Sequence, residues 1–67
     1  MYKVGKKIKI KAGIYSCLDD SFMELNVENE TELEIIADVS EEKKVIVNGS
    51  KRQPAVRIAI PYHRIAA

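Results

Sequence analysis

The stretch that decides the fold is residues 24–36, ELNVENETELEII. Leu25 and Val27 alternate with polar neighbours, and after a short polar break the alternation returns with Leu33 and Ile35. Alternation with a period of two is typical of a β-strand with one buried and one exposed face. The stretch therefore predicts two strands joined by a tight turn, and an all-β fold.

Three further segments have the character of strands. Residues 6–12 alternate lysine with isoleucine, residues 43–47 are dense in β-branched side chains, and residues 56–60 alternate again. With the two strands of residues 24–36 they make five short strands, and residues 16–23 are expected to form a loop between the first two. Five short strands with tight connections predict a small barrel or sandwich that occupies residues 1–67 as a single domain.

Two connections are predicted from turn chemistry. Asn48-Gly49 is a hairpin signal, but a two-residue turn would put Pro54 inside the returning strand, where it could not donate a ladder hydrogen bond. We therefore expect a longer loop over residues 48–54. Pro61 ends the following strand, and residues 62–64 are enough for a single 3₁₀ turn.

The first strand has two possible registers. In one register, Ile8, Ile10 and Ala12 face the core and the lysines face solvent. In the other, Lys11 faces inward and Tyr15 reaches the candidate binding face. A one-residue slip exchanges the two faces of a strand, so both registers cannot hold along one regular strand. A bulge at Gly13 would reconcile them.

Composition limits the classes of function. A chain of 67 residues buries only about 60% of its extended surface, which leaves little room for a deep small-molecule site. One cysteine, Cys17, and one histidine, His63, cannot supply a structural zinc site, and neither stands in a catalytic spacing. We expect no enzyme, no cofactor or metal, and no membrane segment. A single cysteine fits a reducing compartment, so the predicted location is cytoplasmic.

The charge is segregated along the chain although the net charge is only +1. All ten acidic residues lie within residues 19–42, five lysines precede this block, and six cations follow it. One interpretation is that strands of opposite charge lie side by side, where cross-strand pairs contribute about 0.2–1 kcal/mol each. The other interpretation is a bipolar surface that attracts a charged partner.

Three short segments stand in an order and at spacings that suggest a family. They are residues 13–17, GIYSC, residues 24–27, ELNV, and residues 60–66, IPYHRIA. Together they resemble the A-L-Y-D-Y, ELSF and I-P-S-N-Y-V-A segments of the Src-homology-3 family of peptide-binding barrels. The resemblance covers nearly the whole chain. It implies a five-stranded SH3-like barrel with a single 3₁₀ turn before the last strand.

The resemblance also implies where a partner would bind. Tyr15 and Pro61 match the family's ligand face, whereas Cys17, Lys43 and Arg64 replace aromatic residues of that face. Grooves that bind PxxP peptides are lined with aromatic rings, and this chain has no tryptophan, so a charged, atypical face is expected instead. The predicted partner-binding residues are Tyr15, Asp19, Asp20, Lys43, Pro61 and Arg64.

Two functions follow from these patterns. The first is a small stand-alone module of the adaptor, inhibitor or antirepressor type that binds a protein partner. The second is a nucleic-acid-binding barrel, for which lysines clustered away from the acidic residues would be needed. Its candidate residues are Lys7, Lys9, Lys11, Lys43, Lys44, Lys51 and Arg52. Charges that are interleaved on one face would favour the protein partner.

Overall fold

The computed structural model describes residues 2–19, 23–49 and 56–66, and all of its regular elements are strands or single 3₁₀ turns. The two 3₁₀ turns are Ser40–Glu42 and Tyr62–Arg64, and the second is the turn predicted from the sequence. The prediction that a strand follows it is wrong for the described residues, since Ile65 forms only an isolated bridge with Ile10. The strands are β1 (Lys7–Ile10), β2 (Gly13–Ser16), β3 (Glu24–Val27), β4 (Thr31–Val39), β5 (Lys44–Asn48) and β6 (Arg57–Pro61).

The strands form two antiparallel sheets. Four strands pair in the order β1-β4-β5-β6, and β2 pairs with β3. A single bridge between Cys17 and Ile58 links the two sheets, and a second bridge joins Ile10 to Ile65 near the carboxyl end. The all-β prediction is confirmed. The predicted five strands are wrong, since six are present, and within the described ranges the sheets are not closed into a barrel.

The sixth strand arises from a break in the first predicted strand. Ile8 and Ile10 are buried, but Ala12 is exposed, which corrects the prediction that it faces the core. Within residues 13–17 the buried positions are the odd-numbered Tyr15 and Cys17, which face inward. The inward positions of Ile8 and Ile10 from the first register and of Tyr15 from the second are therefore both present, on either side of a two-residue break. The inward position predicted for Lys11 is wrong, since Lys11 is exposed, and all of β2 pairs with β3.

The core is aliphatic and lies between the two sheets. β5 contributes three successive buried residues, and β4 contains a bulge between Ile35 and Ala37 where its register with β5 shifts. Leu25 and Leu33 are half-buried against the core. The apolar positions of residues 24–36 therefore face the core as predicted, and two of them, Val27 and Ile35, are buried. The most deeply buried side chains are Ile8, Ile10, Ile35, Val45, Val47, Ile58 and Ile60.

The hairpin between β5 and β6 is longer than a two-residue turn, as predicted. Asn48 pairs with Arg57, and the N–H of Gly49 donates to the carbonyl of Val56 at 2.7 Å. Pro54 lies outside the described residues. The ladder therefore extends past Asn48 before the connecting loop begins.

The second 3₁₀ turn is held by a small tyrosine cluster. The Tyr62 hydroxyl donates to Oδ1 of Asp38 at 2.5 Å, and the backbone N–H of Tyr2 donates to Oδ2 of Asp38 at 3.3 Å. The rings of Tyr2 and Tyr62 lie 5.1 Å apart. The hydrogen bond to Asp38, with smaller effects of burial and nearby charge, raises the pKa of Tyr62 to about 12.

This raised pKa predicts a loss of stability at high pH. The protonated hydroxyl is favoured in the folded state, so its contribution is complete below the ordinary tyrosine pKa of about 10 and disappears as pH rises toward 12. In urea denaturation, Tyr62→Phe should have a lower free energy of unfolding than wild type at neutral pH. The difference between the two proteins should become smaller as pH rises from about 10 to about 12. Tyr2→Phe retains the hydrogen bond of Tyr62 to Asp38, so its difference in stability from wild type should not change with pH in this range. A constant difference for Tyr62→Phe would contradict the assignment.

Candidate interaction cleft

An open cleft with a volume of about 390 Å³ lies where β2 meets the four-stranded sheet. β2 supplies one wall, the beginning of β5 and the end of β6 supply the other, and the second 3₁₀ turn closes one end. Lys44 and Pro61 are direct cross-strand partners on that second wall. The lining residues are Ile14, Tyr15, Ser16, Lys44, Ala59, Pro61, His63 and Arg64.

Three of the predicted partner-binding residues line this cleft. They are Tyr15, Pro61 and Arg64, which come from β2, β6 and the 3₁₀ turn. Tyr15 is more than forty residues away from Pro61 and Arg64 in the sequence, and the approach of β2 to β6 brings them together. The resemblance to a ligand face therefore identified a group of residues that the fold places side by side.

Tyr15 is part of the cleft floor and has little free surface. Its side chain is only 4% exposed, and its hydroxyl donates to the carbonyl of Lys11 at 2.5 Å. Arg64 covers the ring, with its guanidinium carbon 5.7 Å from the ring centroid. The Arg64 Nε donates to the Tyr15 hydroxyl at 3.2 Å and its Nη2 donates to the carbonyl of Ala12. A partner that enters the cleft would therefore meet Arg64 before Tyr15.

Lys44 takes the place in the cleft that was predicted for Lys43. Lys43 is exposed, has a left-handed φ of 53°, and ends the turn Ser40–Glu42 by donating its N–H to the Ser40 carbonyl. This turn directs Lys43 away from the group of lining residues. Lys44, one residue later on β5, lines the cleft and forms an ion pair with Glu42 at 3.4 Å. Lys43 is therefore not among the residues that line this cleft, and its contact with a partner stays a prediction.

Asp19 belongs to an ion pair outside the group of cleft residues. Both of its oxygens accept from Arg57, and the shortest contact, from Nη2, is 2.5 Å. These side-chain hydrogen bonds hold the pKa of Asp19 below its usual value. Both side chains are about half exposed, at 47% and 54%, so the pair joins the segment that follows β2 to β6 on the surface. Asp20 lies outside the described residues.

The lysines of β1 are interleaved with acidic residues. In the register of β1 with β4, Lys7 lies opposite Glu34 and Lys9 lies opposite Glu32, and all four are exposed. Opposite charges on facing positions of adjacent strands attract and compensate each other. Lys11 is exposed beyond the end of β1, and β4 lies between β1 and the strand that carries Lys44. Lys51 and Arg52 lie outside the described residues.

Four cleft residues were not predicted as binding residues. They are Ile14, Ser16, Ala59 and His63. Ile14 is 66% exposed, which is unusual for a large aliphatic side chain on a paired strand. The sequence carried one signal for it, because Ile14 precedes Tyr15 and must point to the opposite side of any strand that buries the tyrosine. That signal was usable only if residues 13–16 were recognised as a strand.

The described residues contain no group of three or more His, Cys, Asp or Glu side chains placed to hold a metal ion. Cys17 is buried in the core cluster. Among the same residues, no helix has the length and apolar character needed to cross a membrane.

No family model matches the chain, and comparisons with the curated proteins and with the solved structures give no significant match. The resemblance to the Src-homology-3 family, the function and the cytoplasmic location therefore stay predictions.

Proposed function

We propose that this chain is a protein-interaction module that binds a segment of a protein partner in the cleft between β2 and β6. The arrangement of the sheets would be an open variant of the SH3-like one, and the role would be that of an adaptor, inhibitor or antirepressor. The observation that carries the proposal is the convergence of Tyr15, Pro61 and Arg64 on one open cleft.

The chemistry of the cleft supports a peptide segment as the ligand. Ile14 offers exposed apolar surface beside Ala59 and Pro61, and Ser16 and His63 add polar side chains. Apolar contact gives affinity, and a few placed polar groups give orientation. The open shape suits an extended chain that lies along the surface.

The charge pattern favours a protein partner over nucleic acid. Lys7 and Lys9, which would form the phosphate-binding face, lie opposite Glu34 and Glu32. Those carboxylates would repel phosphates that approached the same face. A protein partner of mixed or complementary charge meets no such repulsion, so we retain it as the proposed ligand.

The proposal is tested by selecting peptides from a random library displayed on phage and titrating the selected peptides into isotope-labelled protein. The largest shifts of backbone amide signals are expected at Ile14, Ser16, Ala59 and His63. The substitution Lys44→Gln should weaken binding by roughly threefold to fivefold, which corresponds to about 1 kcal/mol for an exposed charge pair. Lys43→Gln, its neighbour outside the cleft, is the matched control and should leave the affinity unchanged.

Two results would contradict the proposal. One is a set of selected peptides whose shifts map to the outer face of β1 and β4. The other is an equal loss of affinity in the Lys43 and Lys44 variants, because that would show a general charge effect with no contribution from the cleft.

A further inference from the structure

The cleft carries cations but no acidic side chain. Of the lining residues, Lys44 and Arg64 are positively charged, and the described lining contains no Asp or Glu. This is an unusual balance for a chain with ten acidic residues. A ligand segment with carboxylates would therefore meet complementary charge, whereas a basic segment would be repelled.

One carboxylate of the chain already touches the cleft from outside. Glu42 pairs with Lys44 at 3.4 Å, and its side chain is 62% exposed against 30% for Lys44. Exposed ion pairs of this kind are weak because water and salt compete with them. A carboxylate from a ligand could replace Glu42 on Lys44 at little cost.

Arg64 is a second, more firmly placed cation. Its bonds to the Ala12 carbonyl and the Tyr15 hydroxyl fix the guanidinium, and they use two of the five N–H donors that an arginine carries. A charge that is already held in position loses less entropy when a ligand binds. Arg64 is therefore suited to a ligand carboxylate that reaches the 3₁₀-turn end of the cleft.

From these observations we infer that the cleft selects an acidic, extended peptide segment. An apolar side chain of this segment packs on Ile14 and Pro61, and one of its carboxylates displaces Glu42 from Lys44. The inference rests on the proposed function, since it names the class of partner for the same cleft. Charge complementarity is what distinguishes this occupant from a neutral or proline-rich peptide.

The composition of peptides selected from the random phage library tests the class of ligand. We expect enrichment of Asp or Glu on both sides of an aliphatic residue, and we expect that replacing these acids by Asn or Gln weakens binding at least roughly fivefold. Neutral, proline-rich or basic peptides that bind in the cleft would overturn this inference and leave the proposed function intact. Failure to obtain any cleft-binding peptide would overturn both. Competition by a short single-stranded DNA would identify phosphate as the ligand and overturn the peptide inference.

A pair of substitutions tests the displacement of Glu42. Glu42→Gln frees Lys44 and should raise the affinity for a selected acidic peptide by roughly threefold to fivefold. Glu41→Gln changes the net charge equally on the same turn, and it should raise the affinity less than about twofold because long-range charge effects are screened by salt. Equal effects of the two substitutions would overturn the displacement of Glu42.

Discussion

Replacement of Gly49 by alanine is expected to lower the free energy of unfolding by about 1–3 kcal/mol, the usual cost of forcing an extra atom into a packed core. A Cβ at this position would lie 2.5 Å from Cγ1 and 3.2 Å from Cδ1 of Ile58. Ile58 is fully buried, so it cannot move aside into solvent. The Val56 carbonyl, which accepts the N–H of Gly49, lies 3.3 Å from the same point and limits movement of the backbone.

The measurement is urea denaturation of a double-mutant cycle with Ile58→Ala. Ile58→Ala alone should cost about 2–5 kcal/mol, because it leaves a cavity in the core. In that background the added methyl of Gly49→Ala should cost less than about 0.5 kcal/mol, since the atom it would meet is gone. An unchanged cost of Gly49→Ala in the cavity variant would show that the glycine is needed for its backbone conformation and not for space.

This site matters because the whole domain has little stability to lose. A chain of 67 residues is expected to have an unfolding free energy of roughly 3–10 kcal/mol. The upper end of the cost for Ile58→Ala would unfold a domain at the lower end of that range. The alanine variant of Gly49 should remain folded and measurable.

The same glycine shows what the sequence could and could not predict about the fold. Asn48-Gly49 was interpreted as the start of a loop over residues 48–54, but Asn48 is the last residue of β5. The position of Pro54 correctly indicated a connection longer than a two-residue turn. The physical reason for the glycine is different, however, because its special property here is the absence of a Cβ next to Ile58. That reason depends on the packing of Ile58 of β6 against Gly49, which no local pattern contains.

β2 was missed because the buried positions change from even-numbered in β1 to odd-numbered in β2, the next strand in the sequence. The apolar residues at positions 8 and 10 are followed by another apolar residue, Ala12, so the sequence does not show that the strand ends at Ile10. The structure resumes with Tyr15 and Cys17 facing inward because β2 pairs with β3 and no longer follows β1. Alternation with a period of two indicates which residues of one strand face inward, but it does not locate a short break after which the other set of positions faces inward.

Only part of the candidate cleft could be predicted from the sequence. Tyr15, Pro61 and Arg64 were found through the resemblance, and they converge in the cleft. Lys43 was chosen because, in the match to the Src-homology-3 segments, it stands where the family has an aromatic residue of its ligand face. Lys43 instead ends the turn Ser40–Glu42 in a left-handed conformation, which the sequence does not show, and Lys44 on β5 lines the cleft.

Removal of the Arg64 side chain is expected to have the second large effect on stability. Arg64→Ala should lower the unfolding free energy by about 1–3 kcal/mol, because it removes hydrogen bonds from a charged donor to the Ala12 carbonyl and the Tyr15 hydroxyl and a cation–π contact with the Tyr15 ring. The matched control is Arg57→Ala, whose ion pair with Asp19 is half exposed and should contribute less.

Gly13 provides an independent way to displace the same guanidinium. A Cβ at Gly13 would overlap Nη2 of Arg64, so Gly13→Ala should push the arginine off the Ala12 carbonyl and destabilise the fold in the same direction as Arg64→Ala. In urea denaturation the two substitutions should be strongly non-additive, because the second has no contact left to break. Additive losses would show that Gly13 acts through its backbone.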